Sequence, residues 1–304
     1  MRPAYDVAVV GAAGADGAAL LVALVERGFP LGRLVVLGNG DSVGTSVEVA
    51  DRTVRVEDLT EFDFSRVQLV FFLLSAAEAR VHVPRAVAAR CLVIDHSSAF
   101  RYDDATPLVI ASINPHALAE CANRSVVAIP SAALFPLLLA LSPLREAGIH
   151  RIVAELPEHQ EAGAAAPSSS LSAGLGLGYT SQEMAVVLEV QKVLGDSFIG
   201  VNPTLRSAGT GGSMLALHIE TQEKVTLAQA GELLSKSPDL ALRGASSAGG
   251  PSGNTGSEDI RILRVREDLS SVNGLDLWIV ADNVRRIVAN NSVQIAEILT
   301  KSGA

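Results

Sequence analysis

The segment Asp6-Val7-Ala8-Val9-Val10-Gly11-Ala12-Ala13-Gly14-Ala15-Asp16-Gly17 joins a short β-rich run to a glycine-rich loop. The run through Val10 predicts a strand, and residues 18–27 predict a helix directly after the loop. Glycines at such a junction let backbone N–H groups approach a pyrophosphate at the positive end of the helix dipole. The spacing is GxxGxxG instead of GxGxxG, so two interpretations stay open: a dinucleotide loop, and a tight strand–helix turn without a ligand.

Strand and helix patterns continue to alternate through the first 130 residues. Strands are predicted at residues 33–37, 68–74 and 91–95, with a helix at residues 78–90 between the last two. The run at 68–74 is continuously apolar, which is typical of a strand buried on both faces of a parallel sheet. These strand–helix–strand units predict an α/β fold with a Rossmann-type doubly wound sheet.

The pattern changes after Pro130, where strands and helices no longer alternate. Strands are predicted at residues 151–156, 214–220, 260–265 and 275–281, and helices at residues 180–194 and 283–299. Residues 161–178 and 245–257 are rich in Ala, Ser and Gly, which favours flexible loops. The second half of the chain therefore predicts an α+β domain.

Composition narrows the classes of function. The chain has 304 residues, of which 48% are hydrophobic and 19% charged, so it is expected to fold. Its formal net charge is −9, so it is not expected to bind nucleic acid through the phosphates. The two cysteines, Cys91 and Cys121, form neither a disulfide framework nor a zinc motif, and we expect no metal site. No segment has the pattern of a signal peptide or a membrane span, so a cytoplasmic protein is expected.

The turn after the second predicted strand is the place where a Rossmann domain selects the ribose. An acid there hydrogen-bonds a free 2′-hydroxyl, whereas an arginine accepts a 2′-phosphate. The turn reads Asn39-Gly40-Asp41-Ser42, with an acid and no arginine. Asp41 therefore disfavours NADP, although a solvated turn aspartate explains the same residue.

Several segments together resemble one family, the aspartate-semialdehyde dehydrogenases. Beside the glycine loop, the segments that carry the resemblance are Asp95-His96-Ser97-Ser98-Ala99-Phe100-Arg101, Ile113-Asn114-Pro115, Gly178-Tyr179-Thr180-Ser181-Gln182-Glu183-Met184, Arg264-Val265-Arg266 and Leu277-Trp278-Ile279-Val280-Ala281-Asp282-Asn283. The matches run from residue 7 to residue 299. The resemblance implies a dinucleotide-binding Rossmann domain (1–130 plus 283–304) and a catalytic and dimerisation-type domain (131–282). It also implies an oxidoreductase of amino-acid biosynthesis that reduces aspartyl phosphate with NADPH through a cysteine thioester.

The resemblance assigns roles to individual positions of this chain. The nucleophilic cysteine falls on Ala132, the positioning glutamine on Gln160, and the acid–base histidine on Ser213. Substrate-binding roles fall on Arg101, Asn114 and Arg206, the last as carboxylate anchor. Cofactor-binding positions for NAD(P) are Gly11, Ala13, Gly14, Gly17, Asp41, Ser75 and Asn283.

Two of the catalytic positions have lost their chemistry, because Ala132 carries no heteroatom and Ser213 is no general base near neutral pH. Ser131, beside Ala132, could act as nucleophile only with a base in reach, and His159 and His218 are the candidates.

Other departures affect the cofactor and the dimer. The family usually carries arginine at Asp41 and glycine at Ile287, and a helical insertion between the equivalents of Gln160 and Gly178 is shortened here.

We therefore predict a Usg-like paralogue without the catalytic cysteine and histidine: a non-catalytic binding or regulatory protein for a small carboxylate metabolite. It is expected to form a homodimer or to pair with an active relative. The alternative is an active semialdehyde dehydrogenase with an altered mechanism or with NAD as cofactor.

Overall fold

The computed structural model describes residues 4–50, 52–123, 125–157, 178–206, 214–237, 240–242 and 260–301. The chain divides into two compact units. The first contains the described residues of Met1–Ser131 and Arg285–Ala304, and the second contains those of Ala132–Gln160 and Ala166–Val284. The predicted loop at 245–257 lies outside the described residues, and so does the predicted loop at 161–178 except for its last residue, Gly178.

Thirteen strands and six α-helices lie in the described part of the chain. The strands are β1 (Tyr5–Val10), β2 (Leu31–Gly38), β3 (Ser46–Val49), β4 (Arg52–Asp58), β5 (Leu69–Phe72), β6 (Leu92–Asp95), β7 (Val126–Ala128), β8 (Ile149–Pro157), β9 (Gly200–Arg206), β10 (Met214–Thr221), β11 (Leu240–Leu242), β12 (Ile260–Glu267) and β13 (Gly274–Ala281). The helices are α1 (Ala15–Glu26), α2 (Ala76–Ala88), α3 (Phe135–Leu141), α4 (Ser181–Leu194), α5 (Leu227–Ser235) and α6 (Val284–Lys301).

The sheet of the first unit is built around β1. Its strand order in the described residues is β3-β4-β2-β1-β5-β6-β7, and only the β3–β4 pair is antiparallel. Val9 of β1 lies between Val36 of β2 and Phe71 of β5, and all three side chains are buried. Apolar strands of this kind suit a parallel sheet covered on both faces. The prediction of a Rossmann-type doubly wound domain is confirmed.

The β3–β4 hairpin is an addition that the sequence patterns do not predict. Its strands carry exposed polar residues, and β3 is only 4 residues long. Valines alternate with polar residues in both strands, but over stretches too short to predict strands by themselves. The hairpin extends the sheet on the side of β2.

The second unit contains a mixed sheet with the strand order β11-β12-β13-β10-β8-β9 in the described residues. Leu215, Leu217 and Ile219 of β10 lie on its buried face, and the residues between them lie on a half-buried face. Antiparallel pairs join β10 to β13 and β8, whereas β8 pairs with β9 in parallel. The predicted α+β domain is confirmed, and β9, α3 and α5 are further elements within it.

Helix α6 belongs to the first unit although it ends the chain. Arg27 of α1 binds Glu297 at 3.0 Å, and the Tyr5 hydroxyl donates to the Thr300 carbonyl at 3.0 Å. The Asn291 carboxamide accepts from the Ala111 amide at 2.7 Å and donates to the Val109 carbonyl at 3.2 Å. These bonds join the last helix to segments from the beginning and the middle of the unit.

No helix in the described ranges is long and apolar enough to cross a membrane. Within the same ranges, histidine, cysteine and acidic side chains form no group of three or more that could hold a metal ion.

Candidate active site

The glycine-rich loop after β1 has a backbone that only glycine fits at two positions. Gly11 has a φ of +83°, and a Cβ atom there would collide with the Leu73 carbonyl oxygen. A Cβ atom at Gly17 would lie 2.7 Å from the carbonyl carbon of Ala12. The loop therefore packs closely against β5 and against its own helix, as a loop that lets a phosphate approach the backbone requires.

The N-terminus of α1 is open at the same place. Gly14 is its N-cap residue, and no side chain caps the helix there. Ala13 and Gly14 are exposed, so the first amide groups of α1 can face an anion. Asp16 would repel that anion, but its carboxylate binds Arg285 at 3.0 Å, which partly compensates the charge.

Strand order defines where a ligand would lie. The chain leaves β1 towards β2 on one side and returns to β5 on the other, so the crevice of a doubly wound sheet lies at the carboxyl ends of β1 and β5. Gly11 follows β1 and Ser75 follows β5 at this edge. Asp41 lies on a short 3₁₀ turn after β2 and is exposed.

Ser75 and Glu78 form a reciprocal cap at the start of α2. The Ser75 hydroxyl donates to Glu78 Oε2 at 2.6 Å and accepts from the Glu78 amide at 3.4 Å. Glu78 Oε1 accepts from the Asn39 side chain, which follows β2. Glu78 is a residue that the family positions do not include; its signal in the sequence is the Ser-x-x-Glu capping box after an apolar strand.

Arg101 and Asn114 have internal partners in the first unit. Arg101 is 3% exposed, and its Nε and Nη2 atoms donate to the carbonyls of Ile129 at 2.8 Å and of His96 at 2.7 Å. Asn114 is buried and bonds both Leu108 and Ile110. Arg101 thus connects the segments that follow β6 and β7. Substrate contact by Arg101 and Asn114 stays a prediction.

His96 lies at the carboxyl end of β6 and reaches α6. Its Nε2 atom lies 2.9 Å from the Ser292 hydroxyl, which itself donates to the Val288 carbonyl at 3.0 Å. Burial, and then the positive charge of Arg101, lowers the pKa of His96 to about 3. The ring is therefore neutral, and its Nε2–H group donates to Ser292.

Ala132 is the residue to which the family resemblance assigns the nucleophile, and that assignment stays a prediction. Ala132 is half-buried and begins the 3₁₀ turn Ala132–Leu134, directly before α3. The chain has 2 cysteines, and both are buried. Burial raises the pKa of the Cys91 thiol and of the Cys121 thiol to about 11. Neither thiol can supply a thiolate near neutral pH.

Arg206 ends β9 on the second unit's sheet and already has two partners. Its Nε atom lies 2.6 Å from Glu155 Oε1, and its Nη2 atom donates to the Met214 carbonyl at 2.9 Å. A guanidinium has five N–H donors, and the two contacts seen among the described residues occupy two of them. Gln160, Ser213 and His159 lie outside the described residues.

His218, a candidate base for Ser131, is bound within the half-buried face of the second sheet. Its Nδ1 atom lies 2.8 Å from Asp276 Oδ1, and the other oxygen of Asp276 accepts from Arg266 at 2.7 Å. The ring is thus oriented by a carboxylate on the neighbouring strand β13. A role for His218 as base stays a prediction, as does cofactor contact by the exposed Asn283.

Two family models match the chain. A model described as the NAD-binding domain of semialdehyde dehydrogenase matches residues 6–121. A model described as the dimerisation domain of semialdehyde dehydrogenase matches residues 171–286. The first covers β1 to β6, including the glycine loop, and the second covers the described strands β9 to β13.

Individual relatives match over nearly the whole chain. The aspartate-semialdehyde dehydrogenase of Legionella pneumophila is 35% identical over 97% of this chain and 96% of its own length. Aspartate-semialdehyde dehydrogenase 2 of Vibrio cholerae is 35% identical and covers 99% of both chains. The crystal structure of aspartate semialdehyde dehydrogenase II from Vibrio cholerae, complexed with ASA, has a TM-score of 0.88 at 36% identity, covering 98% of this chain and 99% of that one.

The alignment with the Legionella relative also shows what this chain lacks. It extends over 332 positions, whereas the chain has 304 residues, so at least 28 aligned positions have no residue here.

Proposed function

The chain belongs to the aspartate-semialdehyde dehydrogenase family, and from this premise we propose that it is a Usg-like paralogue without thioester chemistry. It binds ligands at the family's site as a binding or regulatory protein. The proposal is supported by Ala132, which stands where the resemblance assigns the nucleophile, and by the burial of both thiols of the chain.

The lost step is acyl transfer to the protein. A thioester forms when a thiolate attacks the acyl carbon, and a methyl group has no electron pair to offer. Cys91 makes contacts of 3.3 Å with the carbonyls of Phe64 and Val67 inside the first unit, which holds it as a packing residue. The absence of at least 28 aligned positions supports divergence beyond one substitution.

The proposal retains a dinucleotide at the glycine loop. Gly11 and Gly17 keep the close backbone packing, and the uncapped α1 offers its first amides, so the residues fit a pyrophosphate. NAD(P) supplies hydride transfer when it is bound in a dehydrogenase. Here the chain's own residues would hold the diphosphate by backbone N–H groups.

The proposed second ligand is a small carboxylate metabolite bound by Arg206. Its guanidinium is held at the end of β9 by Glu155 and Met214, so its direction is set before a ligand arrives. Because the Glu155 carboxylate competes for the Arg206 guanidinium, we expect a modest affinity for the carboxylate ligand.

The proposal includes a homodimer formed through the half-buried face of the second sheet. Trp278 lies at the centre of this face, with the guanidinium carbons of Arg264 and Arg266 at 5.1 Å and 4.9 Å from its ring centroid. Tryptophan and arginine are the residues that contribute most at protein interfaces. The match to a dimerisation domain supports the same choice.

A steady-state assay tests the loss of catalysis. Purified protein is incubated with aspartate semialdehyde, phosphate and either NAD⁺ or NADP⁺, with the Legionella relative as positive control. We expect no reduced cofactor above the protein-free background. Clear turnover with either cofactor would contradict the proposal and support a dehydrogenase with an altered mechanism.

A further inference from the structure

One carboxylate is hydrogen-bonded to the turn after β2, the turn with which a Rossmann domain selects the ribose. Asn39 directly follows β2, and Glu78 lies in the first turn of α2, after β5. β1 separates these strands, which therefore lie about 10 Å apart, two strand spacings. The hydrogen bond from Asn39 to Glu78 consequently crosses the carboxyl end of β1, next to the Gly11 loop.

Both oxygens of this carboxylate are held by neighbours. Asn39 donates to Oε1, and the Ser75 hydroxyl donates to Oε2 at 2.6 Å. The Ser75 hydroxyl bond is the main cause that holds the pKa of Glu78 below its usual value; burial acts against it, and the Asn39 bond adds to it. Glu78 is therefore ionised at neutral pH, with its position fixed by a helix cap.

The cations of this edge have other neighbours. Arg285 is paired with Asp16 at 3.0 Å. Arg55 of β4 lies beside Gly44, beyond the turn that contains Asp41, with its Nη2 atom 3.6 Å from the place of a Cβ atom there. Glu78 is thus a charged residue that is hydrogen-bonded to the segments after β2 and β5, the two strands that flank β1.

We propose that Glu78, and not Asp41, selects the dinucleotide, so that the chain binds NAD(H) in preference to NADP(H). An ionised carboxylate accepts hydrogen bonds from the two hydroxyls of an unphosphorylated ribose. The same charge repels a 2′-phosphate. Asp41 is exposed on its turn, where water screens its charge. This inference rests on the proposed dinucleotide binding and adds its specificity.

Calorimetric titration with NAD⁺ and with NADP⁺ tests the inference on three proteins: the full chain, Glu78→Gln and Asp41→Asn. Glutamine also serves at the third position of a capping box, so Glu78→Gln keeps α2 intact while it removes the charge. We expect the unmodified chain to bind NAD⁺ about tenfold tighter than NADP⁺, because the Glu78 carboxylate repels the 2′-phosphate at close range. Glu78→Gln should remove most of this preference through tighter NADP⁺ binding, and Asp41→Asn should leave it within about twofold.

The outcomes separate this inference from the proposed function. If the unmodified chain binds NADP⁺ more tightly than NAD⁺, above all if Arg55→Ala abolishes this preference, the role of Glu78 is overturned. Dinucleotide binding itself is then left in place. The role of Glu78 is also overturned if Glu78→Gln leaves the preference for NAD⁺ unchanged, or if Asp41→Asn removes that preference. Absence of binding by both dinucleotides overturns the proposed function and this inference together.

Discussion

Single residues decide what chemistry the site retains. In the proposed function, Ala132 offers only a methyl group at the position predicted for the nucleophile, and the two thiols of the chain are buried with raised pKa values. Glu78 and Arg101 show the opposite case, in which a charged side chain is fixed by several hydrogen bonds near the same sheet edge. The proposed binding protein would combine a lost nucleophile with such retained charged groups.

Thiol labelling measures the reactivity of the two buried cysteines. Native protein treated with iodoacetamide near pH 8 should remain unlabelled, because thiols with a pKa of about 11 are almost entirely protonated there. Ala132→Cys should take up one label, since the side chain at position 132 is only half-buried. Rapid labelling of the unmodified chain would show that Cys91 or Cys121 is reactive after all.

His96 predicts a loss of stability in acid. Its pKa is about 3 in the folded chain against 6.5 for an unperturbed histidine, so the unfolded state binds the proton first as the pH falls. Stability present above pH 6.5 is therefore lost progressively between pH 6.5 and pH 3, by about 2 kcal/mol at pH 5. Urea unfolding at pH 7.5 and pH 5 should show a smaller loss for His96→Gln than for the unmodified chain. The exposed His116→Gln is the matched control, and an equal loss in all three proteins would contradict the assignment.

At the scale of elements, helix α6 joins the first unit through its side chains. Asn291 is buried and bonds two backbone groups of the segment near Val109 and Ala111. Arg27 and Tyr5 add contacts to the last turns of the helix. A helix that ends the chain thus depends on partners about 180 residues or more away in sequence.

Asn291→Ala tests how firmly that helix is held. The change leaves the Ala111 amide and the Val109 carbonyl without their partner, which costs about 2–3 kcal/mol in the free energy of unfolding. Asn290→Ala, on a half-buried position of the same helix, should cost less than about 1 kcal/mol. Equal urea midpoints for the two variants would show that the Asn291 bonds do not stabilise the unit.

Much of this architecture follows from local sequence pattern, and the rest depends on distant partners. Val7 to Val10 and Leu69 to Phe72 are apolar enough to predict buried parallel strands, and Gly11 marks the turn between strand and helix. The Ser75–Glu78 cap has a local signal, but the contacts of Glu78 with Asn39 and of Arg101 with Ile129 join residues distant in sequence, so no local pattern reveals them. The edge strand β3 escapes recognition because it is only 4 residues long and gains its strand conformation by pairing with β4.

At the level of the whole molecule, the proposed homodimer would use the half-buried face of the second sheet. Trp278 with its two arginines lies among half-buried residues of both signs, including Asp276 and Glu220. A twofold interface needs a surface complementary to itself, and mixed charge around an aromatic centre satisfies this.

Light scattering after size exclusion measures the assembly. We expect a mass of twice the 31.6 kDa of one chain. Trp278→Asp should shift the mass towards the monomer, because it places a charge at the centre of the interface. Val81→Ser, at an exposed position of α2 in the other unit, is the control and should remain dimeric. A monomeric unmodified chain would exclude this homodimer.

Intact-mass spectrometry tests the loss of the thioester most directly. The protein is incubated with aspartate semialdehyde and NAD⁺ or NADP⁺ without phosphate, acid-quenched and weighed, with the Legionella relative treated alongside. The chain should keep its unmodified mass while the relative gains an acyl group. An acyl adduct on this chain, mapped to Ser131 or to either cysteine, would contradict the absence of covalent chemistry.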